Sequence, residues 1–505
     1  MPEPDLSQVR VGVVVPSATP AAWITDAIRQ LVATGAQVSI EAQSVSTPAV
    51  PGAWGRLLCM AGRAANVADP DVPQSLEELD GIEWTDIDDE RPRDFDALFY
   101  VGVLAGTPPQ NATRLGVWQL VVDAATVGLR ETVADEGAVP LCLRRVDGDG
   151  ELRPTWSRLQ RLSPATSRAR ALWRVAMLPA RALHDLALGN APTAGTPGAD
   201  HFRGNPPIKA ATAIGGSARL GWRGVATGSR RVLARNEWFI ATSVDEADML
   251  PNLQRMTPIQ APRDRFWADP FPVVDGGRAC IFVEEWPYAL GRGILAALEI
   301  ERSGQWRRLG TVLEQPWHLS HPFLFRWQGE MWMMPESSAA ATLEIYRCVE
   351  YPLRWQRECV VMQDVPIVDA TLHEGKHHWW LFANIGGDRV STHEELHLFF
   401  ADSPLGPWTA HPSNPIVADP RSARPAGRLF EHEGQWFRPA QDCGVRYGQS
   451  LAIQQILELS TERYIEQPLI QMQPDALAGA NRMHTLNRDG WLTVVDGHRD
   501  RWWPR

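Results

Sequence analysis

No apolar run in this 505-residue chain approaches the roughly 20 residues that a bilayer-spanning helix requires, so no integral membrane segment is expected. The amino terminus opens Met-Pro-Glu-Pro-Asp and turns apolar only from Val11 to Val15, too short and too acidic at its front for a secretory signal. Cysteine is scarce: the six residues Cys59, Cys142, Cys280, Cys348, Cys359 and Cys443 share no paired short spacing, which argues against a zinc knuckle and a disulfide framework. A reducing, cytoplasmic setting is the expectation. Positive charge is in deficit, with 49 Lys and Arg against 60 Asp and Glu and a formal net charge of -11. That balance removes general attraction for nucleic acid and for anionic membrane surfaces, leaving only local basic patches.

What is present suggests two domains, because the length exceeds what one ordinary core organises. Of 22 tryptophans, fifteen lie at or after Trp238; a tryptophan-rich, polar, β-patterned region suits a sugar-binding surface, although tryptophan is also a large core residue. Residues 1–185 read as α/β. Val11 to Val15 has the pattern of a buried parallel strand, Ala21 to Thr34 has helical apolar spacing at Trp23, Ile24, Ile28 and Leu31, and Gln37 to Glu41 reads as the next strand. Further buried-strand patterns follow at 94–101 and 117–122. Between about Asp185 and Lys209 the chain is rich in Pro, Gly, Ala, Asn and Thr, so residues 186–236 are read as a linker.

From residue 237 to 505 helix signals nearly vanish and short alternating segments succeed one another, which is an all-β pattern. They repeat. A polar residue followed by a small residue or proline and an apolar strand recurs at Asp269, His321, Asp369, Arg424 and, less clearly, His484, at separations of 52, 48, 55 and 60 residues. A period near 50 with about four strands per unit predicts a β-propeller of five blades. The leading strand of each blade lies nearest the axis, so these five side chains should converge on one mouth of the central channel. Burying such groups without partners costs roughly 1–3 kcal/mol each, and a ring of them implies a polar ligand.

The motifs FWADPF (266–271), FVEE (282–285), HLSHPFLF (318–325), MMPES (333–337), DATL (369–372), WWLFA (379–383), ADSPLGPW (401–408), SARPAG (422–427), RPAQDC (438–443) and RYG (446–448) resemble five-bladed propellers of the glycoside hydrolase family 43, 62 and 130 type. They are closer still to the propeller of plant glucosamine inositolphosphorylceramide transferases and of bacterial proteins that join it to a formyltransferase-like domain. The amino-terminal half is similar to a degenerate folate-dependent formyltransferase. Its strand LGVWQL (115–120) continues into Val-Val-Asp-Ala-Ala-Thr without the histidine such enzymes use. An inactive domain serving packing or contact with a protein partner is expected, with Asp123 as a remnant.

The resemblance places a general base at Asp269 and an acid-tuning aspartate at Asp369; paired carboxylates across a sugar ring are what glycosidic cleavage needs. The plain alternative for Asp269 is an Asp-Pro turn that starts a strand. Glu336, flanked by apolar residues, is the expected general acid. Of Glu284 and Glu285 alternation sends one to the pocket and one to the neighbouring sheet; Glu285 is assigned to the ligand, with Trp267 and His321. Arg424 and Arg438 either hold an anionic or phosphate-linked sugar or pair with Asp269, Asp369 or Asp442. Gln441, Asp442 and Tyr447 complete the expected binding set. Trp306, Trp355 and Trp408 are assigned to packing between blades, and His373, His377 and His378 to a hairpin tip. One ring histidine among scattered carboxylates is no metal signature, and neither metal nor other cofactor is expected. Two functions follow: an enzyme cleaving or transferring a glycosyl unit, or a non-catalytic propeller that binds a glycan or metabolite beside a scaffolding domain.

Overall fold

A computed structural model describes residues 4–43, 67–84, 94–101, 113–134, 136–146, 151–189, 210–244, 249–275, 277–387 and 389–502. The chain forms two compact units, Met1–Val225 and Ala226–Arg505.

The first unit is built on a seven-stranded sheet of β1 (Arg10–Val15), β2 (Gln37–Ala42), β3 (Ile82–Trp84), β4 (Ala97–Tyr100), β5 (Val117–Val121), β6 (Ala138–Arg145) and β7 (Glu151–Arg158), in the order β3-β2-β1-β4-β5-β6-β7. The first five strands in that order are parallel, whereas β5, β6 and β7 are antiparallel neighbours. Its helices are α1 (Ala22–Ala33), α2 (Leu129–Ala134), α3 (Pro164–Val175) and α4 (Leu178–Ala187). Trp23, Ile24, Ile28 and Leu31 of α1 are buried in one core with Val11, Val13, Ile40, Phe99 and Trp118, so the predicted β-α-β unit is present. Asp123 acts locally, its carboxylate accepting the Ala125 amide at 3.0 Å and the Thr126 hydroxyl at 2.5 Å to close a turn after β5. The sheet is mixed α/β, and a longer helix, α5 (Ala210–Leu233), fills much of the span read as linker. Residues 190–209 of the Pro- and Gly-rich stretch on which that reading rested lie outside the described residues.

The second unit is a five-bladed propeller. Blade one is β10 (Arg265–Asp275), β11 (Arg278–Pro287), β12 (Ile294–Glu301) and β13 (Trp306–Leu313); blade two is β14 (Ser320–Trp327), β15 (Glu330–Ser337), β16 (Thr342–Glu350) and β17 (Arg354–Gln363). Blade three is β18 (Ile367–Glu374), β19 (Trp379–Ile385), β20 (Leu396–Ala401) and β21 (Thr409–Ala410); blade four is β22 (Arg424–Pro425), β24 (Gln435–Asp442), β25 (Ser450–Leu459) and β26 (Tyr464–Met472), with β23 (Phe430–His432) also on β24. Blade five pairs the end of the chain with the start of the unit, in the order β27 (Leu486–Asp489), β28 (Leu492–Trp502), β8 (Ala234–Ser243), β9 (Thr257–Ile259). The register runs from Thr493 opposite Ser243 to Trp502 opposite Ala234, so ten rungs close the ring. Apolar alternate faces fill the gaps between blades, as where Trp355 of blade two meets Phe282 of blade one edge to face at 5.9 Å. Trp306 instead meets Trp267 of its own blade.

Two features of the inner strands position the site. The pairing of first and second strands slips after Ala268, Ser320 and Val368, and the next residues, Asp269, His321 and Asp369, have φ of 47°, 41° and 49°. These bulges throw the side chains toward the axis. Left-handed backbone at a non-glycine residue costs about 1–3 kcal/mol, least at Asp, Asn and His, and these are the residue types found. Further along the channel, Arg428 of blade four reaches across to donate to Leu324 O of blade two at 2.9 Å and to Pro272 O of blade one at 2.9 Å. Its guanidinium lies 5.5 Å from the Phe271 ring and 5.8 Å from that of Phe323, and burial lowers its pKa to about 10. Arg428→Met is expected to destabilise the propeller by about 2–4 kcal/mol, since two inner-strand carbonyls lose their donor; a shift of the urea midpoint equivalent to less than 1 kcal/mol would show that the blades do not depend on this staple.

Candidate active site on the propeller axis

Three strained amides are each held by a carboxylate from the preceding blade. The Asp269 amide donates to Asp496 Oδ2 at 3.2 Å, that of His321 to Asp269 Oδ2 at 3.0 Å, and that of Asp369 to Glu336 Oε2 at 3.1 Å. Blades five, one, two and three are thus stitched in sequence by the same side chains that line the axis. Arg424 completes the circle from blade four: its Nε donates to Asp369 Oδ2 at 2.6 Å, and its NH2 lies 3.8 Å from Glu336 Oε2. Gln441 donates to the same Asp369 oxygen at 2.7 Å. His321 Nδ1 stands 3.7 Å from Asp369 Oδ1, and His484 Nε2 3.6 Å from Asp269 Oδ1. The five leading residues therefore share one centre, as the repeat predicted.

A second ring lies just outside the first. Glu284, Glu336, Asn384, Gln441 and Asp496 occupy the second strands, the first four directly opposite Ala268, Ser320, Val368 and Arg424, and all five are buried. Their separations of 52, 48, 57 and 55 residues echo those of the first ring. That echo is the signal by which Glu284 and Asp496 were recoverable from sequence.

The carboxyl groups differ in state. Burial and then the Asp369 charge push Glu336 up, to about 8, and burial followed by the charges of Asp269, Glu336, Asp496 and Asp369 raises Glu284. Burial acts the same way on Asp369, but the charge of Arg424, with the hydrogen bonds from Glu336 and Arg424, outweighs it and holds this carboxyl well below the usual range. Glu336 therefore keeps a proton where Asp369 does not. His321 is held neutral by burial. Burial also disfavours charge on His484, yet Asp496 and Asp269 override it and raise its pKa. Asp496 grips His484 through Nδ1 at 2.5 Å while its other oxygen takes the amides of His484 and Thr485 at 2.9 and 3.0 Å. Trp238 stacks on the imidazole at 4.0 Å, fixing Nε2 toward Asp269. Donor atoms of Asp269, His484 and Asp496 lie within 4.8 Å of one another; with Asp496 already accepting four hydrogen bonds, the group is a hydrogen-bonded dyad facing a carboxylate rather than an open cation cage.

Half-buried side chains stand around this centre. Tyr447 lies over the Arg424 guanidinium at 4.9 Å, and His393 Nδ1 is 2.9 Å from Arg424 NH1. His318 accepts the Gly293 amide on Nδ1 at 2.8 Å, which leaves Nε2–H toward Glu284 at 3.8 Å, and Trp286 leans on its ring at 5.3 Å.

Four residues assigned to the ligand are placed elsewhere. Glu285 is the member of its pair turned from the axis: it accepts Arg265 NH1 at 2.9 Å, two donors of Arg308 and the Trp267 indole N–H at 2.9 Å. Glu284 takes the axial position. Trp267 is fully buried in the packing between blades, so it is a core residue and not a sugar platform. Arg438 forms a two-pronged pair with Glu466 at 2.9 and 2.7 Å and donates to Ser422 O. Asp442 caps the Gly444 amide and accepts Gln471. Of the sequence set, Asp269, His321, Glu336, Asp369, Arg424, Gln441 and Tyr447 come together, joined by His484, the less clear fifth leading residue; Glu284 takes the place given to Glu285, and Thr485 and Asp496 were missed. His373 is half-buried against Trp436 of blade four at 4.3 Å, more enclosed than a hairpin tip.

Residues 254–498 match the family model described as glucosamine inositolphosphorylceramide transferase 1, N-terminal. Curated relatives include glucosamine inositolphosphorylceramide transferase 1 of Oryza sativa subsp. japonica, 36% identical over 248 residues, which are 46% of this chain and 33% of that protein. That of Arabidopsis thaliana is 39% identical over 249 residues, 46% of this chain and 32% of the relative. The chain thus spans about a third of the length of the curated relatives it matches. Among solved structures, a family 117 glycoside hydrolase of Zobellia galactanivorans aligns at 12% identity over 52% of this chain and 90% of its own, TM-score 0.34. An exo-β-1,3-galactanase of Phanerochaete chrysosporium aligns at 12% identity over 53% and 64%, TM-score 0.36. The carboxy-terminal propeller of this chain resembles the N-terminal part of the glucosamine inositolphosphorylceramide transferases.

Proposed function

We propose that the axial ring is the centre of a carbohydrate-active enzyme that cleaves or transfers a glycosyl unit. The observation that carries the reading is the unequal setting of two neighbouring buried carboxyls: Arg424 clamps Asp369 at 2.6 Å but stands 3.8 Å from Glu336, which favours charge on Asp369 and a retained proton on Glu336. Environments that drive adjacent acids apart are how one site supplies both an acid and a charge. In this reading Glu336 protonates the leaving oxygen, Asp369 sustains that proton by its charge, and Asp269 stands across the ring as the group that activates the acceptor. His484, fixed by Asp496, steadies Asp269. Because both Arg424 and Arg438 are engaged by carboxylates of the fold, the arginines do not favour an anionic sugar over a neutral one. The amino-terminal unit is read as a formyltransferase-like relative without that activity, in keeping with Asp123 serving a turn.

A second reading, a sugar-binding propeller without turnover, is favoured by one observation: Asp269, Glu336 and Asp496 already hold the strained amides, a structural reason for acids on the axis. The relatives' name belongs to whole proteins of which the matched stretch is 33% or less, so their activity is not transferred to this chain. The two readings separate on turnover. The full chain is screened against nucleotide sugars and aryl glycosides; Asp269→Asn, which keeps an oxygen acceptor for the His321 amide, and Asp369→Asn, which keeps one for Arg424 and Gln441, should each lower the turnover found by about 10²–10⁴-fold. Unchanged turnover in both variants excludes the ring as the active centre, and sugar binding without turnover supports the second reading.

A further inference from the structure

Four of the five second-ring side chains are already in use. Glu336 and Asp496 hold the amides of Asp369 and Asp269, Gln441 donates to Asp369 Oδ2, and Asn384 Nδ2 donates to Thr392 O at 3.4 Å. Glu284 is the exception. Its side chain is only 10% exposed, yet among the described residues its carboxyl accepts and donates no hydrogen bond, and no Lys or Arg pairs with it. The groups facing it are His318 and the carboxyls of Asp269, Glu336, Asp496 and Asp369, while the ring cations Arg424 and His484 are engaged by Asp369 and Asp496. A carboxyl in that setting keeps its proton. The imidazole of His318 is fixed by its own surroundings. Its Nδ1 accepts the Gly293 amide at 2.8 Å, and a Cβ on Gly293 would lie 2.5 Å from His318 Cε1, so the ring lies where only glycine leaves room. Nε2–H is thereby aimed at Glu284 Oε1, 3.8 Å away. That gap is too wide for a direct hydrogen bond and narrow enough for one oxygen to bond both groups. The His318 side chain is 33% exposed, so a ligand can reach it. Trp286, two residues beyond Glu284 and therefore on the same face of β11, leans on the His318 ring.

We propose that Glu284 and His318 form a specificity subsite in which one uncharged hydroxyl group of the ligand bridges Glu284 Oε1 and His318 Nε2. The inference rests on the reading of the axis as a sugar site. The imidazole N–H needs an acceptor, and the protonated carboxyl offers a donor and an acceptor; a hydroxyl is both and satisfies the pair. A carboxylate or phosphate oxygen would add negative charge beside Asp269, Asp369 and Asp496. An ammonium group has no lone pair for Nε2–H.

The test is isothermal titration of the full chain with methyl glycosides of the common hexoses and pentoses, each beside its monodeoxy analogues, and with the corresponding uronic acids and amino sugars. An uncharged glycoside should bind, and one of its deoxy analogues should bind about tenfold more weakly, the worth of one hydrogen-bonded hydroxyl. Glu284→Met should weaken the parent glycoside by a similar factor and erase the discrimination against that analogue. It should also raise the urea midpoint, because an apolar side chain of similar volume removes a buried acid that the fold leaves unbonded. Glu284→Gln, which keeps a donor and an acceptor without charge, should recover most of the affinity. Tighter binding of a uronic acid or an amino sugar, no binding of any glycoside, discrimination that persists in Glu284→Met, or a lowered midpoint in that variant would each overturn the proposal. A glycoside that is turned over while Glu284→Met discriminates as wild type does sinks this inference and leaves the enzyme reading; binding through Glu284 without turnover does the reverse.

Discussion

Alanine at position 424 should cost the propeller about 3–5 kcal/mol, the penalty for leaving a buried carboxylate without its partner. Arg424 and Asp369 are both buried and meet at 2.6 Å. Asp369 has no other full charge of opposite sign at that distance, because His321 is kept neutral and Gln441 offers only an amide. The same guanidinium joins blade four to blade three, so its loss also frees the seam between them. Near-ultraviolet circular dichroism of the full chain is the suitable readout, since fifteen of 22 tryptophans lie at or beyond Trp238. Arg424→Ala combined with Asp369→Asn should lose less than the two single changes added together. Strict additivity would mean that the pair is not a keystone of the ring.

Glu336→Gln should have the largest effect on chemistry, about 10²–10⁴-fold in turnover, because the amide cannot deliver a proton. It also has a signature that needs no substrate. Glu336 titrates near 4.3 in an unfolded chain and near 8 in the fold, so between those values the native state binds the extra proton. Stability linked to this group therefore declines as pH rises from about 4 to 8. The Gln variant should lose that slope. Asp369 works in the other direction: its lowered pKa contributes stability above about pH 4, which is lost as pH falls below that. Urea midpoints from pH 5 to 8 isolate the Glu336 contribution, and parallel curves for wild type and Glu336→Gln would show that Glu336 is ionised throughout.

The strained inner ring explains why acids there are retained whatever the chemistry. Three left-handed residues in successive blades store about 1–3 kcal/mol each, and each is offset by a hydrogen bond to a charged or polar carboxyl group, which contributes about 1.5–3 kcal/mol. Changes that delete an oxygen at Asp269, Glu336 or Asp496 thus act on fold and site together. Asp→Asn and Glu→Gln changes keep the acceptor and separate the two.

The sequence alone determined the blade count, the α/β character of the first half and the leading ring, because a propeller repeats its backbone and so must repeat its punctuation. Polar residues ahead of apolar strands at a period near 50 are visible without coordinates. It could not choose between Glu284 and Glu285, because alternation along β11 only sends the two to opposite faces; Arg265, Arg308 and Trp267, which hold Glu285 off the axis, decide it. Arg438, Asp442 and Trp267 were misplaced for a related reason: a motif reports proximity along the chain, while Glu466, Gln471 and Glu285 are brought to them only by neighbouring strands. Within the span read as linker, residues 210–233 form a helix that five glycines disfavour and that contacts with α2 sustain. Only tertiary structure decided that the chain's last strand closes blade five against β8, that Asp496 thereby reaches the axis to orient His484, and that Arg424 leaves Asp369 ionised beside a protonated Glu336. Each depends on groups far apart in sequence meeting where water is excluded, and there the balance between desolvation and charge pairing is set by distances that no local pattern encodes.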